Sequence, residues 1–166
     1  MDQEIKEKAQ RYCEAKGYQL REQLGFGIHG GVWVVDTSGF PGQFALKVFQ
    51  HEVFHRRERD AYLRLRERGV TRICGCDVPI LIDSDDEAWV ILMTVVERPF
   101  VLDFAGSRLD TPEDFPEPIL REFLAEKEDQ FGADWPKAKE IVAELETYGI
   151  YLTDISPSNI SVHAAG

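Results

Sequence analysis

Toward the carboxyl side the chain reads Tyr148-Gly-Ile-Tyr-Leu-Thr-Asp154-Ile-Ser-Pro157-Ser-Asn159-Ile-Ser-Val162. Asp154 and Asn159 stand in one short turn, with Pro157 stiffening the chain between them. A carboxylate that can accept a proton, followed by a neutral oxygen ligand for a hard cation, suits transfer of a phosphoryl group from a metal-bound nucleotide. The same residues also suit an ordinary Pro-Ser-Asn turn between a helix and a strand. The choice depends on what the upstream chain can set against them.

Three upstream features bear on that choice. Gly25-Phe-Gly27-Ile-His-Gly30-Gly31 is followed by the strand-forming run Val32-Trp-Val-Val35. Glycines between two strands let a backbone fold over phosphates with no side chain in the way, or simply make a hairpin. A dinucleotide-binding glycine pattern would have to open a helix, and here a strand follows. Next, Lys47 interrupts the apolar strand Phe44-Ala-Leu-Lys47-Val-Phe49. It either points to solvent from an open sheet face or is buried against an anion. Finally, Glu58 falls inside the apolar stripe Phe54, Ala61, Tyr62 and Leu65 of a helix predicted over 51–68. A carboxylate on a buried face needs a cation, and Lys47 on the preceding strand is the candidate, with neighbouring arginines as the alternative.

Taken in order, these features resemble the protein-kinase-like superfamily over about residues 20–162. Gly25, Gly27, Gly30 and Val32 match its Gly-x-Gly-x-x-Gly-x-Val loop, and Ala45-Leu46-Lys47 is similar to its Val-Ala-Ile-Lys strand. Asp154 and Asn159 have the spacing of its catalytic loop. The resemblance implies ATP as ligand, contacted by Gly25, Gly27, Gly30, Val32, Ala45 and Lys47. It implies Met93 near the gatekeeper position and a hinge over 94–98, Val95 included, whose backbone meets adenine. It makes Lys47, Glu58 and Asp154 the catalytic set and Asn159 a magnesium ligand.

Elements able to position these groups are legible. A packing helix carries Ile5, Ala9, Tyr12 and Cys13 on one face and ends at Gly17. Strands over 78–82 and 88–95, with a turn at 83–87, complete a five-stranded antiparallel sheet against the Glu58 helix. A loop over 103–118 leads to a helix over 118–131, then to one capped by Asp134 and ended by Gly149. The expectation is an α+β, protein-kinase-like fold. Residues 1–97 form an amino-terminal lobe with an extra helix, and 98–166 a reduced helical lobe ending in the catalytic loop. The Cys74/Cys76 stretch is expected to be a connecting loop, and such a small lobe leaves apolar surface for a protein partner or a second copy.

Composition narrows the partners. A net charge of -11 disfavours nucleic acid and anionic membranes, which would be repelled at long range. The charged start predicts no signal peptide, the apolar run 88–96 is too short to span a bilayer, and Cys74-Gly-Cys76 has no second pair for zinc. A cytoplasmic home is expected.

Departures from the family pattern shape the functional reading. Leu152-Thr153 replaces the usual His-Arg before the aspartate, and Ser156 stands where serine/threonine kinases place a lysine, as in RIO kinases. No acidic residue follows Asn159, so the downstream Asp-Phe-Gly element that holds magnesium has no counterpart there, and His163 is a poor substitute. The sequence therefore points first to a pseudokinase-like ATP-binding module with weak or no phosphotransfer. The alternatives are a working phosphotransferase, using Asp154 as base and a carboxylate from elsewhere, and an interaction protein with an empty site.

Overall fold

The computed structural model describes residues 2–101 and 103–163. Helix α1 (Asp2–Lys16) ends at Gly17, where the amides of Gly17 and Tyr18 return to the carbonyls of Glu14 and Cys13, the bond pair that closes a helix on glycine. Then come β1 (Gln19–Gly27), β2 (Gly30–Asp36), β3 (Gln43–Phe49) and α2 (Glu52–Glu67). A small hairpin of β4 (Arg72–Ile73) and β5 (Cys76–Asp77) occupies the stretch expected to be a connecting loop, and β6 (Leu81–Asp85) and β7 (Val90–Thr94) follow. The five long strands form one antiparallel sheet in the order β1-β2-β3-β7-β6, so the architecture is the expected α+β one.

Side chains alternate between sheet faces, and both faces here are covered. Trp33, Val35, Leu46, Val48, Val90 and Leu92 meet Ile5, Ala9, Tyr12 and Cys13 of α1. Ala45, Phe49, Ile91 and Met93 turn the other way and join Ala61, Tyr62 and Leu65 of α2. Double coverage is why β3 and β7 read as nearly unbroken apolar runs. The Tyr12 hydroxyl and the Lys16 ammonium both donate to Asp83 on β6, at 2.8 and 2.9 Å, which pins α1 across the sheet.

The rest of the chain contains β8 (Phe100–Val101), β9 (Ser107–Leu109), α3 (Glu117–Phe131), a 3-10 turn (Gly132–Asp134), α4 (Trp135–Thr147), β10 (Ile150–Leu152) and β11 (Ile160–Ser161). Pairing is nested: β9 runs antiparallel to β10, and β8 antiparallel to β11. The turn between β8 and β9 is thereby brought against the turn between β10 and β11. Contact is close at Gly106, where an added Cβ would come within 2.9 Å of Thr153 Oγ1 and 3.1 Å of Asp154 Cβ. α3 leaves Ile119, Leu120 and Leu124 exposed, apolar surface of the kind expected to take a partner. Among the described residues no helix is long and apolar enough to cross a membrane.

Four expectations need correction. The strand predicted over 78–82 begins only at Leu81, because Pro79 has no amide to give a ladder and Ile80 donates instead to the Thr94 hydroxyl. The turn predicted at 83–87 lies later, with the Asp85 carboxylate accepting from the amides of Glu87 and Ala88. Asp134 makes no side-chain cap on α4, and its carboxylate lies 2.7 Å from His163 Nε2. Residues 103–118, expected to be loop, include β9, which the pairing with β10 makes a strand.

Candidate functional site

Lys47 is at mid-strand on the α2 side of β3, only 6% exposed. Its Nζ donates to Glu58 Oε2 at 2.6 Å, eleven residues along the chain on α2. So the buried partnership predicted from two interrupted apolar patterns is present. Burial opposes the lysine's charge, yet Glu58 and Asp103 together hold its pKa above the ordinary value. Burial pushes the Glu58 carboxyl up from its ordinary value, although Lys47 pulls the other way. Glu58 is fully buried and its Oε1 has no hydrogen-bond partner among the described residues. Such a pair is held rigidly, because breaking either half would strand a charge in the core.

Above this pair the β1–β2 hairpin turns through Ile28 and His29. Gly30 has φ +149, and a Cβ there would fall 1.9 Å from the Val48 carbonyl oxygen, so the turn presses directly onto β3. Gly25 and Gly27 differ: a Cβ at either would meet nothing within 4 Å. Packing does not demand glycine at those two positions, which leaves room for a ligand as the physical reason.

Facing the lysine is the Asp154 turn. Asn159 Nδ2 donates to the Asp154 carbonyl at 3.2 Å and to its Oδ2 at 3.3 Å, bracing the turn while leaving the amide oxygen uncommitted to these bonds. The Thr153 hydroxyl and amide both donate to the Gly106 carbonyl, tying this turn to the one before β9.

That second turn carries a residue the sequence analysis did not select. Asp103 Oδ2 lies 3.4 Å from Lys47 Nζ, a second carboxylate beside the same ammonium. Burial raises its pKa, but Lys47 and the Ala105 amide, donating to Oδ1 at 2.9 Å, outweigh this and keep the carboxyl ionised below its usual range. No acidic residue follows Asn159 in the sequence, and nested strand pairing brings this carboxylate to the cavity from upstream.

These groups line one cavity of about 740 Å³. Gly25, Gly27, Gly30, Val32, Ala45, Lys47, Met93, Val95, Asp154 and Asn159 all contribute to its wall, and Glu58 stands behind Lys47. Asp103 and His29 are the additions. Leu24, Val32, Ala45, Met93 and Val95 make one end apolar, suited to a flat heterocycle, while Lys47, Asp103, Asp154 and Asn159 make the other charged. Two carboxylates and an amide oxygen suit a hard cation that keeps its own waters and shares phosphate oxygens. Among the described residues no cluster of three or more His, Cys, Asp or Glu exists to hold a metal unaided.

No protein-family model matches the chain, and no curated protein does. Among solved structures it is similar to a mutant form of the Mycobacterium tuberculosis PknI kinase domain, at 20% identity and TM-score 0.42, covering 80% of this chain and 48% of that one. It is also similar to the Cydia pomonella granulovirus kinase PK-1, at 13% identity and TM-score 0.39, covering 91% of this chain and 58% of that one. The chain thus spans about half the length of the solved kinase domains it matches. Likeness this loose decides nothing about chemistry.

Proposed function

We propose that the chain binds ATP in this cavity and transfers its terminal phosphoryl group, as a compact protein-kinase-like phosphotransferase. The observation that carries the reading is Lys47, paired with both Glu58 and Asp103 in a cavity that also offers Asp154 and Asn159. The ammonium anchors phosphate oxygens while the glycine turn closes over them. Asp103 and the Asn159 amide oxygen are the groups that fit magnesium, which when bound neutralises charge developing on the phosphates. Asp154, exposed at the cavity mouth, accepts the proton of an incoming hydroxyl.

Asp103-Phe104-Ala105-Gly106 resembles the family's Asp-Phe-Gly element with one residue inserted, standing before the Asp154 turn instead of after it. Strands pair by geometry and not by chain order, so the exchange leaves both turns on the same cavity. This supports a working enzyme over the weak-turnover reading, whose ground was the missing metal-binding aspartate downstream of Asn159.

Titration calorimetry with ATP, with and without magnesium, tests binding, and radiolabelled phosphate transfer tests turnover. Saturable binding weakened at least tenfold by Lys47→Ala is expected, the loss of a hydrogen bond to a charged group costing about 1.5–3 kcal/mol. Asp154→Asn should lower transfer roughly 10²–10⁴-fold with binding retained. Absence of ATP binding by the unaltered chain, or transfer that survives Asp154→Asn, would defeat the proposal.

A further inference from the structure

We propose that a second cavity, formed by α3, α4 and β10, is the docking site for a partner protein that presents an amphipathic helix with a basic polar face. This cavity has a volume of about 500 Å³ and shares no lining residue with the nucleotide cavity, so the inference does not rest on the phosphotransferase reading. Leu120, Phe123 and Leu124 of α3, Trp135 and Val142 of α4 and Leu152 of β10 give it an apolar wall.

The chain itself leaves much of α3 uncovered. Helical spacing puts Leu120, Phe123, Leu124, Lys127 and Phe131 on one face, yet only Lys127 and Phe131, in the last two turns, are buried. Leu120 and Leu124 remain 39% and 40% exposed, with Ile119 and Phe115 exposed beside them. Phe115, from the loop before the helix, stacks on Phe123 with ring centroids 5.6 Å apart and extends the apolar surface. A helix draws most of its stability from packing such a face, and a contiguous exposed patch marks a place of association. A second helix laid along α3 would cover it, its side chains at i, i+3, i+4 and i+7 entering the groove.

Charge selects the partner's chemistry. Residues 112–147 hold eleven Asp and Glu against four Lys and Arg, a net -7 of the chain's -11. The four cations are already engaged. Arg121, Lys127 and Lys137 each pair with a glutamate of their own helix, and the Lys139 ammonium lies 5.7 Å over the Trp135 ring. Glu113 and Glu146 line the cavity itself. A second copy of this chain or an anionic membrane would set negative charge against negative, whereas a helix with Lys and Arg flanking its apolar stripe meets its opposite. Thr153 and Ile155 also line this cavity, while Asp154 between them lines the other, so the docked helix lies on the back of the turn that carries Asp154.

The test is titration calorimetry of the full chain with two synthetic amphipathic peptides of about 18 residues, long enough to run beside α3. Both carry leucine on the apolar face; one has lysine and the other glutamate on the polar face. Saturable binding of the lysine peptide is expected, weakened severalfold as salt rises from about 0.05 to about 0.5 M. Amide exchange should slow over α3 in that complex. Leu120→Gln with Leu124→Gln, at side chains already part-exposed, should weaken the peptide about tenfold or more. Equal binding by this double variant, or slowed exchange elsewhere than α3, overturns the inference by placing the peptide on another acidic face. Equal binding of the glutamate peptide overturns it too, as does no binding of the lysine peptide by the unaltered chain. A dimer in sedimentation that the double variant abolishes would give the groove to a second copy and also overturn it. The exchange map decides the case even if the variant unfolds.

Discussion

The two walls of the cavity are built to different standards. Lys47 and Glu58 are sunk in the core between sheet and helix, at 6% and 0% exposure. Asp154, across from them, is exposed on a turn braced by Asn159 and tied to Gly106. A charge enclosed in this way is fixed before any ligand arrives, and a carboxylate left open in this way is free to meet the acceptor that the proposed transfer requires. Stability and turnover should therefore separate on mutation.

The largest effect belongs to the buried wall. Glu58→Ala would leave Lys47 buried beside Asp103 alone, a change expected to cost about 3–5 kcal/mol in urea unfolding. A loss below about 1 kcal/mol would mean that the pair is no more structural than the open turn, and the contrast would collapse.

A smaller effect concerns pH. His55, on the same helix as Glu58, is fully buried with Nε2 3.2 Å from the Val90 carbonyl. Burial lowers its pKa, so the folded chain holds it neutral while the unfolded chain protonates it near pH 6.5. Its contribution is present above that pH and is lost as the pH falls below it. Melting temperature should drop by a few degrees between pH 7.5 and 5.5, and the slope should flatten in His55→Gln, with His29 accounting for part of what remains. An unchanged slope in the variant would remove His55 from the account.

The smallest effect is predicted for the roof. Gly27→Ala adds a methyl where nothing lies within 4 Å and should change unfolding free energy by no more than about 1 kcal/mol. ATP affinity should nevertheless fall measurably in calorimetry. If stability falls and affinity does not, the glycine serves the fold and not a ligand.

Much of this was readable from residue types. Lys47 and Glu58 each break a local apolar pattern, and an interruption of that kind marks a buried charge wherever a partner is within reach. The glycines, Asp154 and Asn159 were likewise visible through spacing. Asp103 was not, because it reaches the site through strands of two and three residues whose pairing is set by partners far along the chain. The available signal was an acidic residue closing a short apolar run just before Phe104 and Gly106. Pro79 misled differently, since its neighbours look like strand while it cannot join a ladder.

The nested pairing of β8 with β11 and β9 with β10 also orders events in time. During synthesis, the ammonium and its helix partner can meet once β3 and α2 have emerged, closing a loop of modest length. The opposing turns cannot come together until β11 has left the ribosome, after both helices of the second half. A nascent chain would therefore hold the finished Lys47–Glu58 pair with no Asp154 turn across from it, and the cavity would close only when β11 pairs.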